Sequence, residues 1–509
     1  PQLAPEKILP LTALGAVAAC DAVERACGVR PQIKWTNDLV LNGKKLSGTL
    51  TELSLEGESG ALQYAVIGIG VSNRPLIRLL LERGIPVTAC DKKSREALGP
   101  LGDELEQHGC RLQLGEDYLK DLTEDVIFRT PGLRPDVPEL LEAKAHGAII
   151  TSEMEAFFAV CPCPILGVTG SDGKTTTSTI TAELLRAQGY TVHLGGNIGT
   201  PLFDRIPDIR PDDFSVLELS SFQLHSMHCA PDVAIITNIS PNHLDVHPDF
   251  EDYVSAKCSI YRGQRPDGVL VLNARDAHTP RFAAEAPGSV RYFSSVGPVE
   301  NGVYCSGGVI YRAHGGKAEK LIDVSDIRIP GAHNVENYMA AFAATDGLVG
   351  QVACVQVARS FAGVPHRMER IRELNGITFI NDSIASSPTR TIAGLHALSK
   401  PPVIILGGHD KHIPFDELGD EICLHAKAAV VVGETAQRIA AAIRGSKFYD
   451  PGKLPLVEAQ DFRAAVETAY RLAQPGDTVT LSPACSSFDF FKNFAERGDT
   501  FRAIVESLQ

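Results

Sequence analysis

The sequence lacks any apolar run that approaches the roughly 20 residues of a membrane-spanning helix, so we expect no membrane insertion. It also lacks an excess of positive charge, because 48 Lys and Arg residues stand against 62 Asp and Glu residues, for a formal net charge of -14. Nucleic acid is therefore not expected as a partner, since its binding surfaces are basic. Low-complexity blocks are missing as well, so the composition predicts a globular chain rather than a disordered one.

The cysteines show no regular spacing. Twelve of them are scattered through 509 residues, and Cys161 and Cys163 are too close together for a zinc-type pair. No secretory signal peptide is recognisable. We therefore expect buried, reduced thiols and a cytoplasmic location.

A chain of 509 residues is too long for one core and predicts about three domains. Apolar strand patterns alternate with amphipathic helix patterns, which favours an α/β fold with parallel sheets. The predicted strands are Tyr64–Gly70, Pro86–Cys90, Ile165–Thr169, Phe214–Leu219, Val233–Thr237, Pro402–Leu406 and Thr478–Leu481.

The strongest chemical signal is GVTGSDGKTTT at residues 167–177, between a predicted strand and a helix expected from about Ser178. Glycines let backbone amides face an anion, the helix N-terminus adds partial positive charge, a lysine pairs with phosphate oxygens and a threonine can hold Mg²⁺. The motif predicts ATP binding by Gly170, Ser171, Asp172, Gly173, Lys174, Thr175 and Thr176.

A phosphate loop of this kind needs ligands for its metal ion. Glu218 ends a buried strand, where an unpaired carboxylate would be costly, so it is the first predicted Mg²⁺ ligand. His243 follows the next strand, and Lys257 lies in a predicted helix. Taken alone, these two residues are better explained as an ordinary loop histidine and a solvated lysine, and only their order after a phosphate loop favours a role at the metal.

A second nucleotide signal is the turn from Gly68 to Asn73, whose strand-turn-helix context is typical of dinucleotide-binding folds. Asn73 stands where the fingerprint has its last glycine. The turn therefore fits either NAD or another phosphate-bearing ligand, and an oxidoreductase is the alternative function.

Residues 64–509 carry a series of motifs that together resemble the Mur ligases. The resemblance implies a Rossmann-like UDP-sugar-binding domain at 64–156, a P-loop ATPase domain at 157–364 and a Rossmann-like C-terminal domain at 365–509. The motifs are GVTGSDGKTTT, GGNIGTP, LELSSFQL, NHLDVH, GAHNVENY, PHRME, NDSIASSPTRT, GGHDK and LSPACSSFDFFKNFAERG.

Among Mur ligases, the motifs are most similar to those of members that join D-glutamate to UDP-N-acetylmuramoyl-L-alanine in peptidoglycan precursor synthesis. The resemblance implies a monomer that uses ATP and Mg²⁺ and forms an acyl phosphate on the L-alanyl carboxylate, which the amine of D-glutamate then attacks. Another amino-acid ligase of the superfamily, or a nucleotide-binding protein inactivated by fusion, stays open as an alternative.

The resemblance also implies roles for individual residues, Lys174, Glu218, His243 and Lys257 being catalytic. The metal would be held by Thr175, Glu218, His243 and Lys257, the last as a carbamate. The UDP-sugar would contact Val71, Ser72, Asn73, Asp91, Lys92, Thr130, Gly132 and Asn197. ATP would also contact Asn337, Arg367 and Asp382, and D-glutamate would contact Ser386, Lys411, Ser487, Phe488 and Phe494.

Simpler interpretations exist for some of these residues. Asn334 and Asn337 could cap a helix, and Arg367 and Asp382 could form a surface ion pair. Ile384 departs from the family pattern, because many relatives carry lysine there, and one cation is thus missing from the predicted D-glutamate side.

Residues 1–70 resemble the central part of biotin protein ligases, through Lys34-Trp35-Thr36-Asn37-Asp38, the following GKKLSGTLTE and the strand YAVIGIGVSN. Residues 1–63 are thus predicted to be a partial biotin-protein-ligase-like segment, and the two resemblances meet in a strand that both families share. Thr36 replaces a proline of the family signature. The loop that holds biotinyl-adenylate phosphate in that family and its small C-terminal barrel are both missing, so biotin ligation is not expected.

Overall fold

The computed structural model describes residues 62–509, apart from 199, 200, 242, 244, 245, 411 and 412, together with three short strands between 32 and 48. These strands, β1 (Gln32–Lys34), β2 (Asp38–Leu41) and β3 (Lys44–Gly48), form an antiparallel sheet. Trp35, Thr36 and Asn37 of the biotin-ligase-like signature lie outside the described residues.

The remaining strands follow the predicted α/β pattern. They are β4 (Tyr64–Ile67), β5 (Val87–Asp91), β6 (Arg111–Leu114), β7 (Val126–Phe128), β8 (Ile149–Thr151), β9 (Ile165–Thr169), β10 (Val192–Gly196), β11 (Phe214–Glu218), β12 (Val233–Ile236), β13 (Val269–Asn273), β14 (Ser289–Ser294), β15 (Gly302–Ser306), β16 (Val309–His314), β17 (Lys317–Asp323), β18 (Glu369–Leu374), β19 (Ile377–Asn381), β20 (Val403–Leu406), β21 (Ala428–Val431), β22 (Leu456–Glu458) and β23 (Thr478–Leu481).

Helices separate most of these strands along the chain. They are α1 (Arg74–Glu82), α2 (Arg95–Leu98), α3 (Pro100–Gln107), α4 (Pro138–Ala145), α5 (Glu153–Val160), α6 (Lys174–Gln188), α7 (Ser221–Leu224), α8 (Phe250–Arg262), α9 (Thr279–Glu285), α10 (Ala332–Ala344), α11 (Gln351–Ser360), α12 (Pro388–Ala397), α13 (Asp416–His425), α14 (Ala436–Gly445), α15 (Phe462–Leu472) and α16 (Phe494–Ser507). Within the described residues, no helix is both long enough and apolar enough to span a membrane.

The chain forms two compact units. The predicted domain boundaries at 64, 157 and 365 divide the chain by its family motifs, whereas these units divide it by compactness in space, so the boundaries stay predictions. The first unit comprises Pro1–Ser171, Tyr190–Leu270 and Pro280–Val290, and the second comprises Asp172–Gly189, Val271–Thr279 and Arg291–Gln509.

The first unit holds a five-stranded parallel sheet with the strand order β6-β5-β4-β7-β8. Its core includes Ala65, Ile67, Cys90 and Ile127, which are all fully buried. Along the chain, β5 and β6 are added on one side of β4, and β7 and β8 are then added on its other side. The order therefore reverses between β4 and β7, which is where ligands bind in open α/β sheets.

Four further parallel strands of the first unit have the order β10-β11-β9-β12. Strand β9 is buried along its whole length, as expected for a strand with neighbours on both edges. Helix α6 begins at Lys174, one turn before the predicted start near Ser178. The start of this helix is rich in Ser and Thr, which have low helix propensity. The hydroxyls of Ser178, Thr179 and Thr181 donate to backbone carbonyls of the preceding turn, so these hydroxyls are satisfied within the helix.

The second unit contains a six-stranded sheet with the order β18-β19-β23-β20-β21-β22, parallel except at its β18 edge. Strand β20 shows why its sequence is continuously apolar. Val403 and Ile405 belong to one buried cluster, and Ile404 and Leu406 belong to another. Both faces of the sheet are thus covered, as in a doubly wound fold. Strands β15, β16 and β17 of the same unit pair antiparallel.

Candidate active site

The glycines of the phosphate loop, defined here as residues 170–173, are required by close contacts. A Cβ on Gly170, at φ +145°, would lie 1.9 Å from Thr237 Oγ1. A Cβ on Gly173, at φ +78°, would lie 2.4 Å from Asn337 Oδ1. Gly173 is the N-cap of α6, and no side chain caps that helix end. Helix N-termini of this kind are common phosphate sites, because their amides point outward.

Ser171 helps to fix the shape of the loop. Its amide donates to the carbonyl of Asn238 at 2.9 Å, and its Oγ donates to the carbonyl of Ser240 at 2.9 Å. The same hydroxyl lies 3.0 Å from Tyr253 Oη. The loop is therefore held from the chain segment that follows β12 and from α8.

Glu218 presents one oxygen that has no hydrogen-bond donor in the described part of the chain. Its side chain is 2% exposed, and its Oε1 accepts a hydrogen bond from Asn197 Nδ2 at 2.8 Å. Its Oε2 is buried and has no hydrogen-bond partner among the described residues. Leaving a carboxylate oxygen buried and unpaired is costly. A divalent cation would satisfy it, so the residue fits the predicted role of Mg²⁺ ligand.

Lys257 is not a solvated lysine. It is 1% exposed, and its Nζ donates to the carbonyl of Gly170 at 2.8 Å and to Thr169 Oγ1 at 3.3 Å. The ammonium also lies 4.7 Å from the centre of the Tyr253 ring. Helix α8 thus brings this side chain to the start of the phosphate loop, as its predicted catalytic role requires.

His243 has a strained backbone, with φ +55°. The amides of Val246 and His247 both donate to its carbonyl, at 3.1 and 2.9 Å, and its ring lies 5.0 Å from that of Phe222. Non-glycine residues with such φ values cluster at functional sites. Thr175, the other predicted metal ligand, is buried in the first turn of α6.

Seven of the eight predicted UDP-sugar residues lie at or just after the ends of β4, β5 and β7, where the order of the five-stranded sheet reverses, whereas Asn197 follows β10 and bonds to Glu218. Gly68, at φ +89°, directly follows β4, and a Cβ there would lie 2.9 Å from Thr130 Cβ. The turn after β4 and the loop after β7 are thus neighbours. Val71 is 67% exposed and available to a ligand, and Ser72, Lys92 and Gly132 are exposed as well.

Two residues of this group also stabilise the turn. Asn73 is 2% exposed, and its Nδ2 donates to the carbonyls of Ile67 and Gly68, both at 3.0 Å. Asp91 Oδ2 accepts from the amide of Ile69 at 2.7 Å. Asn73 therefore replaces the fingerprint glycine by holding the turn through its side-chain amide, which explains why the dinucleotide pattern is incomplete.

Arg129 is absent from the predicted site residues, although it directly precedes Thr130. It is 1% exposed, and its guanidinium donates to the carbonyls of Thr130 and Phe222 and to Ser226 Oγ, at 3.1, 3.0 and 2.7 Å. Burial lowers the pKa of Arg129 to about 10. Its sequence signal is a lone arginine at the end of an apolar strand, which by itself indicates only a sheet edge.

Asn337 lies inside α10 rather than at its cap, since Gly331 is the N-cap of that helix. It is 6% exposed, and its Oδ1 accepts from Thr177 Oγ1 at 3.2 Å. Its Nδ2 donates to Asn334 Oδ1 at 3.2 Å. The helix-capping interpretation is therefore wrong, and Asn337 packs directly against Gly173 of the phosphate loop.

Asp382 and Arg367 do not form a surface ion pair. Arg367 is exposed, whereas Asp382 is 4% exposed at the carboxyl end of β19. Ser482 Oγ donates to Asp382 Oδ2 at 2.9 Å, and the amide of Met368 donates to Oδ1 at 3.2 Å. Burial raises the pKa of Asp382 to about 6, although these two hydrogen bonds oppose it.

Backbone strain also marks the segment of Arg367. The residues on either side, His366 and Met368, have φ +62° and +44°. Ala484, which lies three residues before the predicted Ser487 in the loop after β23, has φ +60°. Strain at these positions supports a ligand site at the carboxyl ends of β19 and β23.

The predicted D-glutamate residues lie along the same edge of the six-stranded sheet. Ser487 is 2% exposed, whereas Phe488 and Phe494 are 66% and 40% exposed. Ser386 follows the end of β19 in a tight turn, with its amide donating to the carbonyl of Ile384 at 2.8 Å. Lys411 lies outside the described residues.

Arg497 is a second organising residue missing from the predicted set. It is 2% exposed, and it donates to Ser383 Oγ and to the carbonyls of Ser383, Cys485 and Ser486 at 2.9 to 3.1 Å. Burial lowers its pKa to about 10. Arg497 thereby ties the loop after β19 to the loop after β23. Its signal was present in the NFAERG motif, although a charged residue in an amphipathic helix usually faces water.

Comparison with known proteins places these features in a family. Residues 168–345 match the Mur ligase middle domain, and residues 366–485 match the Mur ligase, glutamate ligase domain. Residues 2–72 match the biotin/lipoate A/B protein ligase family. Both predicted resemblances and the predicted fold class are thus confirmed.

Relatives of known name cover most of the chain. The UDP-N-acetylmuramoylalanine--D-glutamate ligase of Acetivibrio thermocellus is 48% identical over 451 residues, which are 88% of this chain and 97% of that protein. The ligase of the same name from Clostridium kluyveri is 46% identical over 447 residues, with the same coverage. The solved structure of MurF from Acinetobacter baumannii has a TM-score of 0.50 at 19% identity, covering 71% of this chain and 82% of that one, and shows a shared fold. The chain belongs to the Mur ligase family.

Proposed function

We propose that the chain is an ATP-dependent ligase that joins D-glutamate to UDP-N-acetylmuramoyl-L-alanine in peptidoglycan precursor synthesis. The observation that carries this proposal is the 48% identity to a UDP-N-acetylmuramoylalanine--D-glutamate ligase across 97% of that protein's length. The phosphate loop, the orphaned Glu218 oxygen, and the strained backbone of His366, Met368 and Ala484 support it from the structure.

The chemistry follows from the inertness of a carboxylate, which is a poor electrophile until one oxygen is converted into a leaving group. In the proposed reaction the carboxylate oxygen of L-alanine attacks the γ-phosphorus of ATP, and ADP departs. Lys174 and the amides at the start of α6 hold the phosphate oxygens as this charge moves. The amine of D-glutamate then attacks the acyl carbon, phosphate leaves, and the amine loses its proton.

Bound Mg²⁺ would offset the negative charge of the phosphates. Thr175, Glu218 and His243 are the proposed ligands, and Glu218 is oriented for the role by Asn197, which occupies its other oxygen. We propose that Lys257 works as a carbamate, since an unmodified ammonium at this position would repel a metal ion. Addition of CO₂ to the neutral amine, with loss of a proton, would give a carbamate whose remaining N–H can still donate to the carbonyl of Gly170.

Helix α10 and the loops at the six-stranded sheet supply the proposed remaining contacts. Asp382 would accept hydrogen bonds from the ribose hydroxyls, Arg367 would approach phosphate, and Asn337 would lie against adenine. For D-glutamate the proposed residues are Ser386, Lys411, Ser487, Phe488 and Phe494. With Ile384 in place of a common lysine, Lys411 carries more of the carboxylate recognition.

The UDP-sugar is proposed to bind at the reversal of the five-stranded sheet. The exposed Val71 and Ser72 follow the turn, Thr130 and Gly132 face it, and Asp91 and Lys92 end the neighbouring strand. Cytoplasmic location and a monomeric enzyme complete the proposal, because the nucleotide-activated substrate and ATP are intracellular metabolites and every proposed group comes from one chain.

The test is ATP consumption by the full chain with UDP-N-acetylmuramoyl-L-alanine and a panel of D- and L-amino acids. D-Glutamate should give ADP, phosphate and one new amide in equal amounts. Lys174→Ala should abolish turnover in a folded protein, whereas Lys317→Ala, an exposed lysine on β17, should not. Preference for another amino acid would reassign the substrate, and turnover by Lys174→Ala would contradict the role of the phosphate loop.

A further inference from the structure

Two groups of two histidines and one carboxylate are present in the described part of the chain. The first comprises His225, His247 and Asp252, and the second comprises His396, Glu421 and His425. In each group the three donor atoms lie within 4.8 Å of one another. The two groups differ in whether a cation could enter.

In the first group the ligand atoms are bonded to one another and also to residues outside the group. His247 Nδ1 and His225 Nε2 lie 2.7 and 3.1 Å from the oxygens of Asp252. Arg134 Nη1 lies 3.6 Å from the same carboxylate, and His247 Nε2 lies 3.1 Å from Ser221 Oγ. A metal ion would have to displace a guanidinium and two hydrogen bonds, so this group is a structural network.

The second group, called the His396 cluster from here on, is open. Glu421 Oε2 lies 2.6 Å from His396 Nε2 and 3.4 Å from His425 Nε2. The two imidazole rings are 4.8 Å apart and close to perpendicular, with an interplanar angle of 71°. Among the described residues, no lysine or arginine forms an ion pair with Glu421.

The spacing suits a first-row metal ion. Metal bonds of ~2.0 to 2.1 Å in a tetrahedron place neighbouring ligand atoms about 3.3 Å apart. The pair at 3.4 Å already has this separation, and the pair at 2.6 Å would reach it by rotation of an exposed histidine. The side chains of His396 and His425 are 49% and 46% exposed, which leaves room for water as the fourth ligand.

The helices that carry the His396 cluster add a favourable field. His396 is in the last turn of α12, and His425 is the last residue of α13, with Glu421 one turn earlier. Both helices have ten residues, and their C-terminal ends carry partial negative charge. A cation placed between the two ends is therefore attracted by both.

We propose that His396, Glu421 and His425 form a surface site for a borderline divalent cation such as Zn²⁺. Imidazole ligands favour Zn²⁺, Ni²⁺ or Cu²⁺ over Mg²⁺, which requires oxygen ligands. The bound ion joins α12 to α13 at their C-terminal ends. Helix α12 starts at Pro388, two residues after Ser386, so the ion would stabilise the helix that follows the proposed D-glutamate loop.

The test uses the full chain stripped of metal and titrated with Zn²⁺ by calorimetry, and with Co²⁺ by visible absorption. The parent should bind one equivalent at this site. His396→Gln, Glu421→Gln and His425→Gln should each weaken binding at least tenfold, the cost typical even for loss of a group that only supports a metal ligand. His146→Gln, an exposed histidine that ends α4, is the matched control and should bind as the parent does.

Co²⁺ spectra separate this site from the cysteines, because thiolate ligands add intense charge-transfer bands that nitrogen and oxygen ligands lack. The proposal predicts the weaker ligand-field bands alone, lost together with Zn²⁺ binding in all three variants. Absence of saturable binding by the parent, or binding that persists in the His396→Gln/His425→Gln double variant, would overturn it. Circular dichroism of each variant shows whether the fold is retained, and the control has the same type of substitution.

Discussion

Asp382→Asn is expected to stabilise the six-stranded sheet above pH 6 and to weaken ATP binding at the same time. The carboxyl group is 4% exposed, and burial raises its pKa from 3.8 to about 6. A group whose pKa is raised on folding contributes stability that is fully present below its unfolded pKa and is lost as the pH rises through its folded pKa. The parent therefore loses stability between about pH 4 and pH 6, and the asparagine variant does not.

The magnitude follows from the two pKa values. Their difference corresponds to ~3 kcal/mol once the carboxylate is ionised in both states, which is ~100-fold in an opening equilibrium at pH 8. At pH 5 the carboxyl group of the folded parent is still mostly protonated, so the opening equilibrium of the variant should be only ~10-fold smaller than that of the parent. The hydrogen bonds from Ser482 and Met368 already lower this pKa, so their effect is included.

Hydrogen exchange of peptides that cover β19 and β23 measures this opening directly. Hydrogen exchange in the Asp382→Asn variant should be slower than in the parent, by a larger factor at pH 8 than at pH 5. Separately, the KM of the variant for ATP should rise at least ~10-fold, because the proposed ribose contact is lost. Asp477→Asn is the control in the same sheet. Burial opposes ionisation of Asp477, but Lys427 and the amide of Gln474 hold its pKa below the usual range, so this variant should exchange faster. Equal exchange of Asp382→Asn and parent at pH 8 would refute the reasoning.

Three further predictions concern other parts of the molecule. Gly173→Ala should lose ATP binding and ~1 to 2 kcal/mol of stability, from a strained φ and a clash with Asn337; Gly189→Ala, at φ +106° with no heavy atom within 4 Å of its Cβ, should keep ATP binding, and calorimetry compares the two. Lys257→Ala should lose most turnover and recover part of it with added short carboxylates, whereas Lys257→Arg should not respond; full activity of the alanine variant would contradict the carbamate. Deletion of residues 1–61 should preserve amide-ligase activity, and the full chain should fail to biotinylate an acceptor protein; biotinyl transfer, or loss of ligase activity in a soluble truncated protein, would disagree.

The phosphate loop could be predicted from sequence because glycine positions, a lysine and a helix start are local features. Roles for Glu218 and Lys257 at the metal site could be proposed from their order along the chain, but the sequence does not show that both side chains are buried. The contact of Lys257 Nζ with the carbonyl of Gly170 joins residues that are 87 positions apart, and no periodicity predicts such a contact. The alternative of a solvated lysine was consequently open until the fold was known.

Arg129 and Arg497 were not predicted from the sequence at all. Both are charged residues with 1% and 2% exposure, and sequence patterns assign such residues to the surface. Their burial is stabilised by backbone carbonyls of loops that meet only in the folded protein. The structural role of Asn73 was also missed in the sequence. The fingerprint pattern shows only that a glycine is missing at this position, whereas the side-chain amide of Asn73 donates the hydrogen bonds that hold the turn.

The most direct test of the central claim is oxygen transfer from substrate to phosphate. UDP-N-acetylmuramoyl-L-alanine labelled with ¹⁸O in the L-alanyl carboxylate is turned over with ATP and D-glutamate, and the phosphate is analysed by mass spectrometry. Because the proposed acyl phosphate forms through a carboxylate oxygen, each new amide should be accompanied by ADP and one phosphate that carries one ¹⁸O from the labelled carboxylate. Unlabelled phosphate, or AMP and pyrophosphate in place of ADP, would contradict the proposed acyl-phosphate mechanism.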